Sequence, residues 1–315
     1  MIFTVTLNPA LDRTLTVPRL TLDEVLRVAA LRLDWGGKGF NVSRALKVLG
    51  MESVALGLVG GATGDLLERG LCSLGILTDL TPIAGETRTN VVIADGEHYV
   101  KANETGPTVR AEELAAFISQ ALAKAGPGDV WVLSGNLPPG VPNDLYAQLI
   151  PLLRERGARV FLDTSGEPLQ LGCAAAPYLV KPNRAEAESL LDRPIRSEAD
   201  LSDAAAFCLR QGIRLAALSL GADGLLLASD EEAVLAQPPP VPASHTVGAG
   251  DALLAGVLWA HERGLPLIEM ARWGVAAGAA AAAHPGVGIG ARANVEEMYQ
   301  QVRMISLGEG DTVTR

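Results

Sequence analysis

Apolar residues recur along the chain in two alternating patterns, which predict a succession of strands and helices. Apolar runs of about four to eight residues favour buried strands, whereas apolar positions three or four residues apart favour amphipathic helices. The predicted strands cover 2–7, 53–59, 129–134, 159–163, 178–181, 215–220 and 224–227. The predicted helices cover 40–49, a segment opened by 60–65, 111–125, 145–156, 184–191, 198–211, 251–263, 267–283 and 295–305. Because strands that alternate with helices build a parallel sheet covered on both faces, the pattern predicts an α/β fold.

Two stretches, 12–35 and 87–104, depart from this alternation and predict a second, smaller sheet. Its predicted strands lie at 15–17, 25–35, 87–94 and 97–102. The last two form a hairpin that turns at Asp95-Gly96, a residue pair that favours tight turns. No linker long enough to divide the chain is visible, so we expect one domain over 1–315 with a discontinuous β lid.

Composition and charge narrow the class of protein. With 48% hydrophobic and 20% charged residues, the chain resembles an ordinary soluble globular protein. A net charge of −10 without a basic tract argues against a nucleic-acid surface. Three widely spaced cysteines fit reduced thiols in the cytoplasm, and the histidines show no metal-ligand spacing with them. The chain begins directly with a strand, and its longest apolar stretch, 275–283, is too short to cross a membrane.

The most informative segment is the glycine loop TVGAGD at 246–251, which leads into an apolar helix. Gly248 and Gly250 let the backbone approach a ligand closely. Since the first turn of a helix has unpaired N–H groups and a positive dipole end, this loop favours an anion, above all phosphate. Asp251 lies at the same helix end, where it either caps the helix or acts as a general base beside a bound phosphate.

Other candidate residues lie where predicted strands end or helices begin. Asp12 follows the first strand, where open parallel sheets bind ligands, and serves either as an acceptor for sugar hydroxyls or as a turn residue. Three of the five lysines, Lys38, Lys101 and Lys181, also lie near predicted strand ends or helix starts. Arg88 and Lys101 flank the hairpin, and they either join Lys38 around a phosphate group or remain exposed edge-strand charges.

Several segments together resemble the motifs of the ribokinase-like sugar kinases, the PfkB family of carbohydrate kinases. They occur in family order along the chain as NPALD at 8–12, GGKGFN at 36–41, SGNLPPG at 134–140, DTSG at 163–166, KPNRAE at 181–186, SLGADG at 219–224 and VGAGD at 247–251. Asn136 departs from the family, which usually has serine there. The resemblance implies a three-layer α/β/α sandwich with a mostly parallel central sheet and a small β-sheet lid.

By this resemblance Asp251 takes the proton from the substrate hydroxyl, and the N–H groups of Gly248, Ala249 and Gly250 stabilise the transferring phosphoryl group. The implied sugar-binding residues are Asp12, Gly37, Lys38, Asn41, Arg88, Asn90, Lys101 and Ser134. The implied nucleotide-binding residues are Asp163, Lys181, Asn183, Ser219, Gly221, Gly224 and Gly250. The implied cofactors are ATP and Mg²⁺. Asn183 and Glu186 would organise Mg²⁺ mainly through waters, although their spacing also fits a helix capping box.

The expected reaction is ATP-dependent phosphorylation of a phosphorylated ketohexose, above all fructose 1-phosphate to fructose 1,6-bisphosphate. Within the family, a lysine at the position of Lys38 is typical of kinases that act on sugar phosphates such as fructose 1-phosphate and tagatose 6-phosphate. Tagatose 6-phosphate and fructose 6-phosphate are the alternative substrates. Small residues at 274–283 either leave space for adenine or pack two helices closely.

Two other classes of protein fit the sequence less well. A dinucleotide-dependent oxidoreductase needs a Gly-x-Gly-x-x-Gly turn after the first strand, whereas this strand ends in Asn-Pro-Ala. A non-catalytic sugar-phosphate sensor would have lost the base or the glycine loop, and both are present. A homodimer through the β lid, as related kinases form, is a further expectation.

Overall fold

The larger sheet of the protein is built around its first strand, whose residues are all buried. The structure, a computed structural model, describes residues 1–241 and 247–305. Its strands are β1 (Ile2–Thr6), β2 (Ala10–Thr16), β3 (Ala30–Gly36), β4 (Val54–Val59), β5 (Leu77–Thr78), β6 (Thr81–Pro82), β7 (Arg88–Ala94), β8 (Tyr99–Asn103), β9 (Val130–Ser134), β10 (Arg159–Asp163), β11 (Leu179–Val180), β12 (Leu215–Ser219), β13 (Leu225–Ala228), β14 (Ala233–Gln237) and β15 (Arg303–Ile305). Its helices are α1 (Lys38–Val48), α2 (Gly61–Ser73), α3 (Ala111–Lys124), α4 (Leu145–Glu155), α5 (Gly166–Ala174), α6 (Arg184–Leu191), α7 (Glu198–Arg210), α8 (Ala249–His261), α9 (Leu267–Ala283) and α10 (Arg292–Gln301).

The order of strands in the larger sheet places a ligand crevice at the end of β1. The sheet runs β15-β14-β13-β12-β11-β10-β9-β1-β4-β5, and β6 also pairs with β4. Strands β12 through β5 in this order are parallel, whereas β13, β14 and β15 are antiparallel. The chain continues from β1 to β4 on one side and later returns to β9 on the other, and such reversals open a crevice at the carboxyl ends of the strands.

Each face of the larger sheet is covered by helices and a separate hydrophobic core. Along β10, Val160 and Leu162 face one core while Phe161 faces the other, because successive side chains of a strand point to opposite faces. The first core joins the sheet to α3, α4 and α7, and the second joins it to α1, α8 and α9. The predicted three-layer α/β/α arrangement is therefore confirmed.

The small sheet has the order β3-β2-β7-β8, and its register separates an apolar face from a polar face. One cross-strand row consists of Leu31, Leu15, Ile93 and Val100. The row three residues away in each strand points to the opposite face, and it consists of Asp34, Asp12, Asn90 and Asn103. We call this four-stranded sheet the lid.

The structure differs from the sequence prediction at several elements. The strand predicted at 15–17 is longer and begins at Ala10, so Asp12 lies within it, and the short strands β5 and β6 were not predicted. The predicted strand 25–35 is shorter, since only Ala30–Gly36 pairs in the lid. Helix α5 and strand β14 were not predicted, and the predicted last helix ends at Gln301, after which β15 pairs with β14. In α5, Pro168 and Gly172 weaken the helical pattern, yet a Cβ on Gly172 would lie 2.5 Å from Leu162 Cδ2. Glycine therefore allows close packing of this helix on β10.

Two further sequence expectations concern the environment of the chain. Within the described ranges, no helix combines the length and apolar character needed to cross a lipid bilayer. The cysteines are unpaired thiols: Cys72 is exposed, and Cys173 and Cys208 are buried.

Candidate active site

A cavity of about 1050 Å³ lies between the carboxyl ends of the parallel strands and the polar face of the lid. Its volume is at the upper end of the roughly 300–1,000 Å³ typical of ligand pockets, which is enough room for two ligands. The predicted site residues that line it are Asp12, Gly37, Lys38, Asn41, Arg88, Asn90, Lys101, Lys181, Asn183, Ser219, Gly221, Gly224, Gly248, Ala249, Gly250 and Asp251. Residues far apart in sequence therefore meet in one place.

The first turn of α8 forms the floor of this cavity. Gly248 is the N-cap with φ of 84°, a left-handed conformation that glycine adopts without strain. The first-turn N–H groups have no carbonyl partner within the helix, so they are available to an anion. No side chain caps α8, which leaves the capping role of Asp251 without support; Thr246 of the predicted loop lies outside the described residues.

Asp251 is a buried carboxylate, with only 5% of its surface exposed. Its Oδ2 accepts a hydrogen bond of 2.8 Å from Asn41 Nδ2 of α1. Burial raises the pKa of Asp251 to about 6, and the nearby Asp163 carboxylate adds to the shift. Lys38 and Lys181 oppose this shift. A carboxyl group with a pKa near the working pH has the properties of a general base.

Two lysines converge on Asp163 beside Asp251. Lys38 Nζ donates to Asp163 Oδ1 over 2.9 Å, and Lys181 Nζ lies 3.3 Å from the same oxygen. Burial alone would raise the pKa of Asp163, but Lys181 and Lys38 outweigh it and hold this pKa below its usual range. Burial lowers the pKa of Lys38, yet Asp163 and Asp251 outweigh it, so Lys38 stays protonated. The floor therefore carries two fixed ammonium groups next to the helix terminus.

The polar face of the lid forms the opposite wall. Asn90 Nδ2 donates to Asp12 Oδ1 over 2.7 Å. A Cβ on Gly36 would lie 2.3 Å from Asp12 Oδ2, so β3 approaches this carboxylate more closely than a side chain would allow. Burial raises the pKa of Asp12, while Asn90, Lys101 and Arg88 oppose the rise. Asp12 is therefore positioned as an acceptor for hydroxyl groups.

The cations of the cavity form two groups. Lys38 interacts with the carboxylates of Asp163 and Asp251 on the floor. The positive charges that act on Asp12 in the lid come from Lys101 and Arg88. Lys38, Arg88 and Lys101 line the same cavity, as predicted, but the ammonium group of Lys38 is bonded to Asp163 on the floor.

Arg88 has contacts that fix the base of the lid. Its Nη1 donates to the carbonyl of Glu104 over 2.8 Å, and its Nη2 donates to the carbonyl of Asn8 over 3.0 Å. Asn8 Nδ2 in turn donates to the carbonyl of Thr105 over 3.0 Å. These bonds join the first strand of the lid hairpin to the end of β1.

The far end of the cavity is lined by apolar and small residues. These residues are Pro238, Pro239, Pro240, Val241, Leu253, Val275, Gly278, Ala279 and Ala282. A Cβ on Gly278 would lie 3.3 Å from the carbonyl oxygen of Ala249, so the small residues of α9 also allow close packing against α8. This stretch therefore packs two helices closely and also contributes part of the cavity wall.

Asn183 and Glu186 form the capping box of α6. Asn183 Oδ1 accepts from the Glu186 N–H over 2.9 Å, and Glu186 Oε2 accepts from the Asn183 N–H over 2.8 Å. Asn183 lines the cavity, whereas Glu186 lines a smaller adjoining hollow. In the described part of the chain, no three His, Cys, Asp or Glu side chains are placed to hold a metal ion by themselves.

Ser134 and several cavity residues show the limits of sequence motifs. Ser134 is buried in β9 and does not line the cavity, so a direct contact with sugar has no support from the structure. Lining residues that sequence reasoning missed include Thr6, Asn8, Asn136, Gln237 and Arg303. Asn8 and Asn136 lie within the recognised motifs, whereas Arg303 carried no signal because a helix was predicted there.

The sequence matches the family model described as pfkB family carbohydrate kinase over residues 5–294, so the chain belongs to this family. It is 42% identical over 277 residues to the 1-phosphofructokinase of Rhodobacter capsulatus, covering 86% of this chain and 87% of that protein. It is 33% identical over 303 residues to the ATP-dependent 6-phosphofructokinase isozyme 2 of Escherichia coli, covering 95% of this chain and 97% of that protein. The structure of phosphofructokinase-2 from Escherichia coli in complex with substrates and products has a TM-score of 0.90 and 31% identity, covering 95% of this chain and 98% of that chain.

These comparisons confirm the family and the ribokinase-like fold expected from the sequence motifs. They also confirm the class of enzyme, a carbohydrate kinase that uses ATP to phosphorylate a hydroxyl group. Both of the named relatives act on a phosphorylated fructose, which makes the position of that phosphate the central functional question.

Proposed function

We propose that the protein transfers the γ-phosphoryl group of ATP to fructose 1-phosphate and forms fructose 1,6-bisphosphate. The observation that carries this proposal is the buried Asp251 carboxylate at the N-terminus of α8, facing a cavity that also holds two lysines. A base, an anion-binding helix end and fixed positive charge are the parts that phosphoryl transfer requires. The 42% identity to a 1-phosphofructokinase favours fructose 1-phosphate as acceptor.

In the proposed mechanism, Asp251 removes the proton from the acceptor hydroxyl as that oxygen attacks phosphorus. The first-turn N–H groups of α8 bind the equatorial oxygens of the transferring group, where negative charge is concentrated. Lys38 and Lys181, held by Asp163, add positive charge at the same place. Asn41 keeps the Asp251 carboxylate oriented through its hydrogen bond. Exclusion of water by the lid would favour the sugar over hydrolysis of ATP.

The sugar would lie between the lid and α1. Asp12 would accept hydrogen bonds from its hydroxyl groups, Asn90 would form further hydrogen bonds with them, and the backbone at Gly37 allows close approach. Lys101 and Arg88 provide the positive charge for the phosphate that the sugar already carries. In this arrangement the existing phosphate and the transferring phosphoryl group are held by different cations, which keeps the two apart.

The nucleotide would occupy the other half of the cavity. Its phosphates approach Lys181 and the turn after β12, where Ser219, Gly221 and Gly224 line the wall, and its base lies against the small residues of α9. Mg²⁺ bound with ATP would neutralise phosphate oxygens. Asn183 and Glu186 fit a hydrated ion rather than a direct cage, because each already uses one side-chain oxygen in the capping box.

The acceptor is tested by measuring ADP release with Mg-ATP against fructose 1-phosphate, fructose 6-phosphate, tagatose 6-phosphate and unphosphorylated fructose. We expect the highest kcat/KM for fructose 1-phosphate. The second candidate is a 6-phosphate, because the chain is also 33% identical to a 6-phosphofructokinase. Preference for either 6-phosphate would overturn the proposed substrate, and preference for free fructose would also remove the phosphate-binding role of Lys101 and Arg88.

We also propose that the protein forms a homodimer through the lid and works in the cytoplasm. The apolar row of the lid includes Leu31 and Val100, which are 50% and 49% exposed. Val25, which precedes β3, is 90% exposed. An apolar patch of this kind on one face of a sheet is typical of a protein interface. Buried free thiols at Cys173 and Cys208 fit a reducing compartment.

Leu31→Asp is expected to convert the dimer to a monomer, because two charges would be buried without partners at the interface. Sedimentation velocity measures the mass of wild type and variant. Leu77→Asp is the matched control, since Leu77 is 51% exposed but lies in β5, away from the lid. A wild-type protein that is monomeric at micromolar concentration would overturn the dimer proposal.

A further inference from the structure

Arg44 lies on the face of α1 that points toward the active site but does not line the cavity. Lys38, Asn41 and Arg44 follow one another at intervals of three residues, a spacing that places side chains on one side of a helix. The first two contact Asp163 and Asp251. Arg44, at the far end of this row, contacts two segments of backbone instead.

The guanidinium group of Arg44 joins the lid to a segment near the C-terminal end of the described chain. Its Nη2 donates to the carbonyl oxygen of Trp35 over 3.2 Å, and its Nη1 donates to the carbonyl oxygen of Val287 over 3.1 Å. Trp35 belongs to β3, whereas Val287 lies between α9 and α10. One planar group therefore fixes the distance between two segments that are remote in sequence.

The lid end of this connection lies directly beside the sugar-binding carboxylate. Trp35 pairs with Leu11 in the lid, and the next residue, Gly36, is the one whose backbone closely approaches Asp12. Burial lowers the pKa of Arg44, and the nearby carboxylates of Asp34 and Asp12 oppose this shift. A shift of the Trp35 carbonyl would therefore move the backbone that supports Asp12.

The other end lies beside the phosphoryl-transfer loop. The segment 285–290 forms no helix or strand, and its glycines Gly286, Gly288 and Gly290 have φ values of 108°, 142° and 68°. A Cβ placed on Gly248 would lie 3.7 Å from Val287 Cγ1 and 3.7 Å from Asn41 Nδ2. Val287 thus packs next to the residue that begins α8, and a segment without regular structure depends on side-chain bonds for its position.

We propose that Arg44 is a positioning residue that holds the lid strand β3 in register with Val287 and, through it, with Gly248 and Asp251. Arg44 touches neither substrate in this scheme. It keeps the sugar, bound on the lid side, aligned with the base and the helix end on the other side. The inference rests on the proposed phosphoryl transfer at Asp251.

Loss of the Arg44 bonds is expected to lower kcat more than it weakens substrate binding. In Arg44→Met the aliphatic stem remains and both donors are lost, and we expect kcat to fall on the order of 10²-fold, since small misplacements of reacting groups are costly. The KM for ATP should change by less than about threefold, because the nucleotide contacts are untouched. Arg44→Lys, which keeps one donor, should recover part of kcat.

Arg292→Met is the matched control. Arg292 also donates to a backbone carbonyl next to α1, that of Leu49 over 3.3 Å, but it lies outside the cavity. We expect its kcat to stay within about twofold of wild type, as surface changes usually have small effects. Thermal unfolding of all variants separates loss of folded protein from loss of turnover by folded protein.

A double-mutant cycle tests the route through Val287. If Arg44 acts by holding this residue against Gly248, then Val287→Ala should lower kcat by itself. The combined Arg44→Met/Val287→Ala variant should then lose much less than the product of the two single effects. Multiplicative effects, or an Arg44→Met variant with wild-type kcat, would overturn the inference.

The assay is run on whichever sugar phosphate the wild type turns over fastest. A wild type without activity on any of the sugars tested would contradict the proposed function. An active wild type whose Arg44 variants retain full kcat would contradict only the role of Arg44.

Discussion

Asp251→Asn is expected to lower kcat by roughly 10³-fold, within the range that a positioned general base contributes. The protein should still fold and bind ATP, because asparagine can accept the bond that Asn41 donates to Asp251 over 2.8 Å. The variant lacks the basic oxygen that receives the proton of the acceptor hydroxyl. Lys38 cannot replace it, since the neighbouring carboxylates keep its ammonium group protonated. Steady-state ADP release measures kcat, and calorimetric titration measures ATP binding.

Asp200→Asn is the matched control for this substitution. Asp200 is the third residue after the N-cap of α7, as Asp251 is after the N-cap of α8, but it lies outside the cavity. It accepts hydrogen bonds from Ser197, so its replacement should lower the thermal unfolding temperature and leave kcat unchanged. Substantial turnover by Asp251→Asn would contradict the assignment of Asp251 as the base.

Although Asp251→Asn should lose activity, it should be more stable than the wild type at neutral pH. Burial raises the pKa of Asp251 from 3.8 to about 6, so above pH 6 the folded protein holds a carboxylate charged at the expense of its own stability. The difference of about two pKa units corresponds to about 3 kcal/mol at most, and the neutral amide removes this cost. The variant should therefore unfold at a higher temperature than wild type at pH 7, and the gain should vanish below pH 4.

The same group predicts the pH dependence of the reaction. A base is active when ionised, so kcat/KM of the wild type should fall as the pH decreases through about 6. The small residual activity of Asp251→Asn should lack this decrease. An aspartate with its ordinary pKa of 3.8 would give a flat profile between pH 5 and 7, which would show that burial does not shift Asp251.

Glycine turns and strand ends made much of this site predictable from sequence. The loop around Gly248 follows a local rule, in which glycine precedes a helix. Asp12 comes soon after β1, as the sequence indicated, but it lies within the lid strand β2 rather than in a turn. The register of the lid was not predictable, because it depends on pairing between β2 and β7, far apart along the chain. It is this pairing that places Asn90 opposite Asp12 and separates the polar from the apolar face.

The sequence also could not predict which carboxylates the lysines contact. The motif around Lys38 indicates a cation near a phosphate, but it does not say which one. In the structure, Asp163 holds Lys38 on the cavity floor, since this carboxylate is fully buried and accepts from both Lys38 and Lys181. A buried carboxylate needs such partners, and the burial of Asp163 follows from the packing of three neighbouring strands. The sequence motifs identified the lysines of the site, whereas their partners depend on tertiary packing.

Lys38→Met is accordingly expected to lower kcat by roughly 10²-fold, the cost of removing one charged donor from a transition state. Its KM for the sugar phosphate should change little. Lys101→Met should show the reverse, with a raised KM for the sugar phosphate and a smaller effect on kcat, because Lys101 belongs to the lid group around Asp12. Steady-state kinetics with the sugar phosphate and ATP varied in turn separates these effects.

Lys47→Met provides the control within the same helix, since Lys47 is exposed near the end of α1 and should not affect kcat or KM. If Lys38→Met and Lys101→Met instead raised the KM for the sugar phosphate equally, the two lysines would share one phosphate, as the sequence motifs alone suggested. The bond to Asp163 would then have to break when the sugar binds. Separate effects on kcat and KM would mean that Asp163 holds Lys38 for the transferring phosphoryl group throughout the reaction.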